Sequence, residues 1–215
     1  MNYFIVLFMT MASLLFADPK TVVFDFNGVM TRNGKSELVV DFLSDSFHLS
    51  PEEYEKANRE KKASGLTYEQ YWRQFAREKG IELPENWGVQ LQAAMKESSD
   101  VNPEMYVLID DLKKNRIRVG LLTNTDEEWA NINREFGFFK PFDPCLLSYQ
   151  LGVKKPDPAI FRVLLTELGP SKPKEVVFID DKEENVEQAK ALGIDAILFE
   201  SSDQIRLELQ QRKLL

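Results

Sequence analysis

The sequence is short of the residues from which many catalytic sites are built. Cys145 is the one cysteine in 215 residues, which excludes an internal disulfide framework and a cysteine-clustered zinc site. Leu151 stands where the arginine of a cysteine phosphatase loop would be. The one histidine, His48, leaves no partner for a Ser-His-Asp triad, a two-histidine metal site or a pair of phosphate-handling histidines. Positive charge is scarce as well: 27 Lys+Arg face 35 Asp+Glu, for a net charge of -8. No basic surface able to track a phosphate backbone is expected, so nucleic acid is not an expected partner, although local basic groups can still hold a small anion. Any chemistry falls to carboxylates, lysine and hydroxyls. What is abundant is core material. With 43% hydrophobic and 29% charged residues, the chain is neither disordered nor collagenous, and it suits one large domain or a main domain carrying a smaller one.

From Tyr3 to Phe16 no residue is charged and most are large and apolar. That run is too short for an ordinary spanning helix but matches the apolar region of a signal peptide. Ala17, before Asp18 and Pro19, is the cleavage point this reading expects. Residues 1–17 would then be removed and the protein exported, with no stable membrane span in the mature chain. Against export, no Lys or Arg precedes the run and Leu15 is not small; the other readings are a buried strand, or a start set too early with Met9 and Met11 inside the run. Under those readings the protein is cytoplasmic.

Apolar runs alternate with helical patterns, as in an α/β protein with a parallel sheet. Strands are predicted at Thr21 to Phe24, Ile117 to Leu122, Cys145 to Leu147, Val176 to Ile179 and Ala196 to Phe199. Helices are predicted at Pro103 to Lys114, Asp126 to Phe136, Asp157 to Leu168 and Glu183 to Leu192, with Gly169 and Gly193 at C-caps. The stretch from Phe24 to Ile117 is too long for a simple crossover and holds helical patterns only. Ser50-Pro51-Glu52-Glu53 is a helix start, with an N-cap, proline at the first position and acids against the dipole. Tyr68, Tyr71, Trp72 and Phe75, then Leu91, Ala94 and Met95, recur at helical spacing, which marks core faces. The predicted organisation is an α/β core of residues 18–30 and 104–215, doubly wound around a parallel sheet, with residues 31–103 as an inserted helical bundle.

Polar residues punctuate the strand ends. Asp25-Phe26-Asn27-Gly28-Val29 follows the first strand, Thr123-Asn124 the second, Lys154-Lys155-Pro156-Asp157-Pro158 comes shortly after the third, and Asp180-Asp181 ends the fourth. Ligands of open parallel sheets bind at the carboxyl ends of the strands, so neighbouring strands would bring these groups to one rim. A carboxylate at a strand tip, such as Asp25, can attack phosphorus. Two anions approaching each other need a cation, and Mg2+ suits a few carboxylate or carbonyl oxygens with its other positions left to water and substrate. Asp181, supported by Asp180, would supply the second acidic contribution. Lys155 would offset phosphoryl charge and the Thr123 hydroxyl would hold a phosphoryl oxygen.

Phe24-Asp25-Phe26-Asn27-Gly28-Val29, Leu122-Thr123-Asn124, Lys155-Pro156-Asp157-Pro158-Ala159-Ile160-Phe161 and Phe178-Ile179-Asp180-Asp181 resemble the four motifs of the haloacid dehalogenase superfamily. The stretch from Gly152 to Phe199, with Asn185, Ala189 and Gly193-Ile194, is similar to its phosphatase branches. The resemblance covers roughly residues 20–200 and implies a Rossmann-like core with a helical cap of the C1 type inserted after the first motif. It implies Mg2+-dependent hydrolysis of a small phosphorylated metabolite through an Asp25 phosphoenzyme. Asp25, Asn27, Thr123 and Lys155 would be catalytic, with Thr123, Asn124 and Lys155 binding substrate. Asp25, Asp180, Asp181 and Asn27, the last through its backbone carbonyl, would hold the metal. One position departs from the pattern: most phosphatases of the family carry Asp where this chain has Asn27. An amide cannot exchange a proton near neutral pH, and general acid–base catalysis is worth typically about 10²–10⁴-fold. Three readings stay open: a phosphatase of reduced turnover, a relative that only binds a phosphorylated ligand or protein partner, and an introduced substitution.

Rival classes are a dehalogenase, which usually lacks the paired acids Asp180 and Asp181, and a P-loop nucleotide hydrolase. Five residues separate Gly28 from Gly34-Lys35-Ser36, whereas a Walker A loop has four. A third rival is an acidic scaffold whose insert binds protein, with His48, Trp72, Arg73 and Trp87 either lining the mouth of the insert or simply serving as core and surface residues.

Overall fold

The computed structural model describes residues 21–32, 37–169 and 172–215. The apolar N-terminal run, its cleavage point at Ala17 and the Gly34-Lys35-Ser36 segment lie outside these. Among the described residues, no helix is long and apolar enough to cross a membrane.

Runs of β-branched and aliphatic residues form the strands β1 (Thr21–Phe24), β2 (Arg118–Thr123), β3 (Cys145–Leu147), β4 (Val176–Asp180) and β5 (Asp195–Leu198). All pairings are parallel, in the order β3-β2-β1-β4-β5. Every residue of β1 and β4 is buried, as expected of central strands covered on both faces. Because successive side chains point to opposite faces, Val22 and Phe24 join one cluster while Val23 joins the other. The first cluster takes in α5 (Pro103–Lys114) and α10 (Ser202–Gln211). The second takes in α8 (Pro158–Glu167), which follows the one-turn α7 (Ser148–Leu151), and α9 (Glu183–Ala191). The architecture is therefore the doubly wound α/β sheet that the alternating pattern predicts.

Boundaries moved by a residue where a backbone bond decides them. Ile117 is not in β2, because its N–H donates to Leu112 O at 3.0 Å and closes the end of α5. Helix α10 was not among the predicted elements; it starts at the N-cap Ser201, whose side chain accepts from Gln204 N.

Between β1 and α5 run four helices, α1 (Glu37–Phe47), α2 (Pro51–Ser64), α3 (Tyr68–Lys79) and α4 (Trp87–Glu97). Ser50 and Glu53 form a capping box at the start of α2, and Thr67 and Gln70 form another at the start of α3. The helices share their own core, in which Trp72 and Trp87 are fully buried with Leu43, Leu91 and Met95. Those tryptophans are thus packing residues, while Arg73 lies over the ring of Trp87 and pairs with Glu69, and His48 is exposed. The chain leaves and rejoins the sheet through an antiparallel bridge between Thr31 and Val101. Ile132 of α6 (Glu127–Glu135) completes the helical cluster from the sheet side.

Candidate active site

Parallel pairing sets three strand ends side by side: Phe24 is in register with Leu121 and with Ile179. Asp25 is the next residue, tied down by its N–H to Ile179 O at 2.8 Å. Thr123 ends β2 and Asp180 ends β4. The predicted groups therefore meet on one rim, around a buried ammonium.

Lys155 reaches that rim from the loop before α8. Its Nζ donates to Leu122 O at 2.7 Å and to Asp180 Oδ2 at 2.6 Å. It lies 2.8 Å from Asp25 Oδ1, in an ion pair without the alignment of a hydrogen bond. Lys155, Asp25 and Asp180 are all nearly inaccessible to solvent. Both oxygens of Asp180 are engaged, because its Oδ1 also accepts from Lys182 N and Asn185 Nδ2, each at 2.9 Å. Asp181 differs: its Oδ1 is buried and has no hydrogen-bond partner. Thr123 is fully buried and its Oγ1 also has none.

Asp25, Asp180 and Asp181 each bring an oxygen within 4.8 Å of the others. Burial pushes the carboxyl of Asp25 above the usual range, Lys155 pulls it back and Asp180 raises it again. Burial likewise raises Asp181, with Asp180 adding to it. Three carboxylates against one ammonium, with an orphaned carboxylate oxygen among them, is a donor set short of positive charge. Oxygen ligands of this kind fit a hard divalent cation such as Mg2+.

The turn after Asp25 shows why glycine follows Asn27. Gly28 has φ +84°, and a Cβ there would collide with the Asp181 carboxylate. Its N–H donates to Thr31 Oγ1 at 3.0 Å. Asn27 is exposed at the mouth, and its amide donates to Asn124 O at 3.4 Å. The side chain of Asn124, expected to bind substrate, is instead engaged by the lysine loop. Its Nδ2 donates to Lys155 O at 2.8 Å and its Oδ1 accepts from Lys155 N at 2.9 Å, so it braces the lysine loop. The sequence reading gave two participants no role at the site. Asn185 stands five residues after Asp180, and its role shows only once α9 folds back on the strand. The Leu122 carbonyl carries no side-chain signal.

With this geometry in hand, known proteins supply the family. A family model described as a haloacid dehalogenase-like hydrolase matches residues 19–193. The chain belongs to that family. It is 28% identical over 202 residues to the D-ribitol-5-phosphate phosphatase of Bacteroides thetaiotaomicron, covering 88% of this chain and 96% of that one. Bifunctional epoxide hydrolase 2 of Sus scrofa is 32% identical over 149 residues, 65% of this chain, and the chain spans only 26% of that relative's length. Among solved structures, a HAD family enzyme from Bacteroides thetaiotaomicron superposes with a TM-score of 0.69 at 23% identity, covering 86% of this chain and 95% of that one. A complex of that enzyme described as holding magnesium and inorganic phosphate gives a TM-score of 0.63 at 25% identity, covering 84% and 94% of the two chains.

Proposed function

We propose that this haloacid dehalogenase-like hydrolase is a Mg2+-dependent phosphatase of a small phosphate monoester, with Asp25 as its nucleophile. The observation that carries the reading is the rim itself: three clustered carboxylates, two of them paired with one buried ammonium, beside an unpartnered Thr123 hydroxyl. A carboxylate oxygen of Asp25 attacks phosphorus as the bond to the leaving oxygen breaks, and water then hydrolyses the aspartyl phosphate. Lys155 offsets the charge gathering on the phosphoryl group, and Thr123 donates its O–H to one of the phosphoryl oxygens. Asp181, Asp25 and the backbone carbonyl of Asn27 would hold Mg2+, which when bound neutralises the charge that otherwise keeps two anions apart. Asp180 and Asn124 are positioning residues, the first orienting the ammonium of Lys155 and the second its backbone. The helical insert, anchored beside the Gly28–Thr31 turn, would act as the cap that selects the substrate.

The need for a cation favours phosphate over halide displacement. Sugar and polyol phosphates belong in the substrate panel, given the D-ribitol-5-phosphate phosphatase relative and a Thermotoga maritima phosphatase named for phosphorylated carbohydrates, 33% identical over 97 residues. The decisive experiment measures phosphate release from a panel of sugar phosphates, nucleotides and an aryl phosphate, with and without Mg2+. Release is expected only with Mg2+, and Asp25→Asn should lower it by more than about 10³-fold. Asn27 favours one second reading, a protein that binds a phosphorylated ligand without turning it over. Tight Mg2+-dependent binding with no release by the native chain would select it.

A further inference from the structure

We infer that the site selects phosphoryl donors whose leaving group departs as a stable anion (aryl, enol and acyl phosphates) over alkyl phosphates. The inference rests on the phosphatase reading above; it ranks the candidate monoesters and adds acyl phosphates to them.

Asp25 is buried to within a few per cent. The exposed side chain nearest to it in the turn that follows, two residues beyond, is Asn27, whose amide crosses to Asn124 O at the end of β2. Its amide can donate a hydrogen bond to a departing oxygen but cannot give up a proton. Each carboxyl that the described residues bring to this rim already has a task. Asp25 attacks, and Asp180 accepts from Lys155, Lys182 N and Asn185. Asp181 keeps a buried oxygen without a hydrogen-bond partner, which would serve a cation. Asp126, just beyond the tip of β2, is turned to Lys61 and to the first turn of α6. The ammonium of Lys155 is shared among Leu122 O, Asp180 and Asp25.

The two steps balance without a protein acid. In the first, the bond from an Asp25 oxygen to phosphorus forms while the bond from phosphorus to the leaving oxygen breaks. The electron pair stays on that oxygen, which departs as an anion. In the second, the oxygen of water bonds to phosphorus, the bond to Asp25 breaks and its carboxylate is regenerated. Both protons of that water leave on the product dihydrogen phosphate. A phenolate, enolate or carboxylate tolerates the first step, whereas an alkoxide is too basic to leave unprotonated. Alkyl substrates therefore lose the general-acid factor of about 10²–10⁴ and activated ones largely keep their rate.

The test is a leaving-group series at saturating Mg2+: dinitrophenyl, nitrophenyl and phenyl phosphate, acetyl phosphate and glycerol phosphate. The constant to compare is kcat/KM, which contains the step in which the leaving group departs. For the native chain it should fall steeply with leaving-group basicity, with glycerol phosphate at least about 10²-fold below nitrophenyl phosphate. Asn27→Asp should raise glycerol phosphate by about 10²-fold or more while raising dinitrophenyl phosphate by less than about tenfold. A uniform gain across the series, or native hydrolysis of glycerol phosphate as fast as of nitrophenyl phosphate, would overturn the selectivity and leave the phosphatase reading standing. No release from any donor by either protein would overturn both.

Discussion

At the residue scale the site depends on how closely the turn after β1 approaches the end of β4. Gly28 makes that approach possible, because it alone can hold φ +84° with no side chain in the way of Asp181. Alanine there would bear a left-handed strain of about 1–2 kcal/mol. It would also push the Asp181 carboxylate off the place where it faces Asp25. Gly28→Ala is therefore expected to cost stability and, separately, to raise the Mg2+ concentration for half-maximal activity by tenfold or more, to order of magnitude. Unfolding in urea reads the first effect and a Mg2+ titration of phosphate release reads the second. An unchanged Mg2+ requirement would mean that Asp181 does not serve the cation.

At the scale of elements, the helical insert is fastened to the sheet by polar links as well as by its apolar cluster. Lys61 of α2 is buried and pairs with Asp126 at 2.5 Å, its ammonium also lying 4.8 Å from the centre of the Tyr68 ring. Asp126 is in turn the N-cap of α6, accepting from Trp129 N at 3.1 Å. Glu128 of α6 accepts from the backbone N–H groups of Tyr68 and Glu69 at the start of α3. Removing one side of a buried pair leaves the other charge uncompensated; with Asp126 one-third exposed, Lys61→Met should cost about 1–3 kcal/mol. Asp126→Ala should cost about 1 kcal/mol more through the lost cap. The double variant should be clearly less destabilised than the sum of the singles, which a urea double-mutant cycle measures; strict additivity would show that the two groups do not act as a pair. This fastening was invisible in the sequence. Strands such as Val176–Asp180 were legible because burial on both faces demands an unbroken apolar run. The capping box of α2 was legible because its residues are neighbours. Lys61 and Asp126 lie 65 positions apart, and nothing local distinguishes either from a surface charge. The same limit applied at the rim: strand ends named Asp25, Thr123, Lys155 and Asp180. They did not show that Asn124 would brace Lys155 or that Asn185 would hold Asp180.

At the scale of the whole molecule, the clustered carboxylates are a liability to the fold that a bound cation would relieve. The sheet converges its strand ends because Phe24, Leu121 and Ile179 pair in register, and that convergence forces three carboxylates together with a single ammonium paired to two of them. Burial, with the charge of Asp180 adding to it, holds both Asp25 and Asp181 above the usual carboxylate range, so keeping them ionised weakens the metal-free protein. Anything that binds only the folded state stabilises it by mass action, by about 2.7 kcal/mol at a ligand concentration one hundred times its dissociation constant. Mg2+ should therefore raise the melting temperature of the native chain. Asp181→Ala reverses the order: it removes one repelled carboxylate and the oxygen that has no partner. Without metal the variant should melt at or above the native protein, and added Mg2+ should lift it far less. Thermal unfolding of both proteins with a chelator and with excess Mg2+ gives the four melting temperatures required. Equal lifts in the two proteins would place the cation elsewhere, whereas a metal-free variant that melts well below the native chain would show that Asp181 supports the fold by contacts other than its charge.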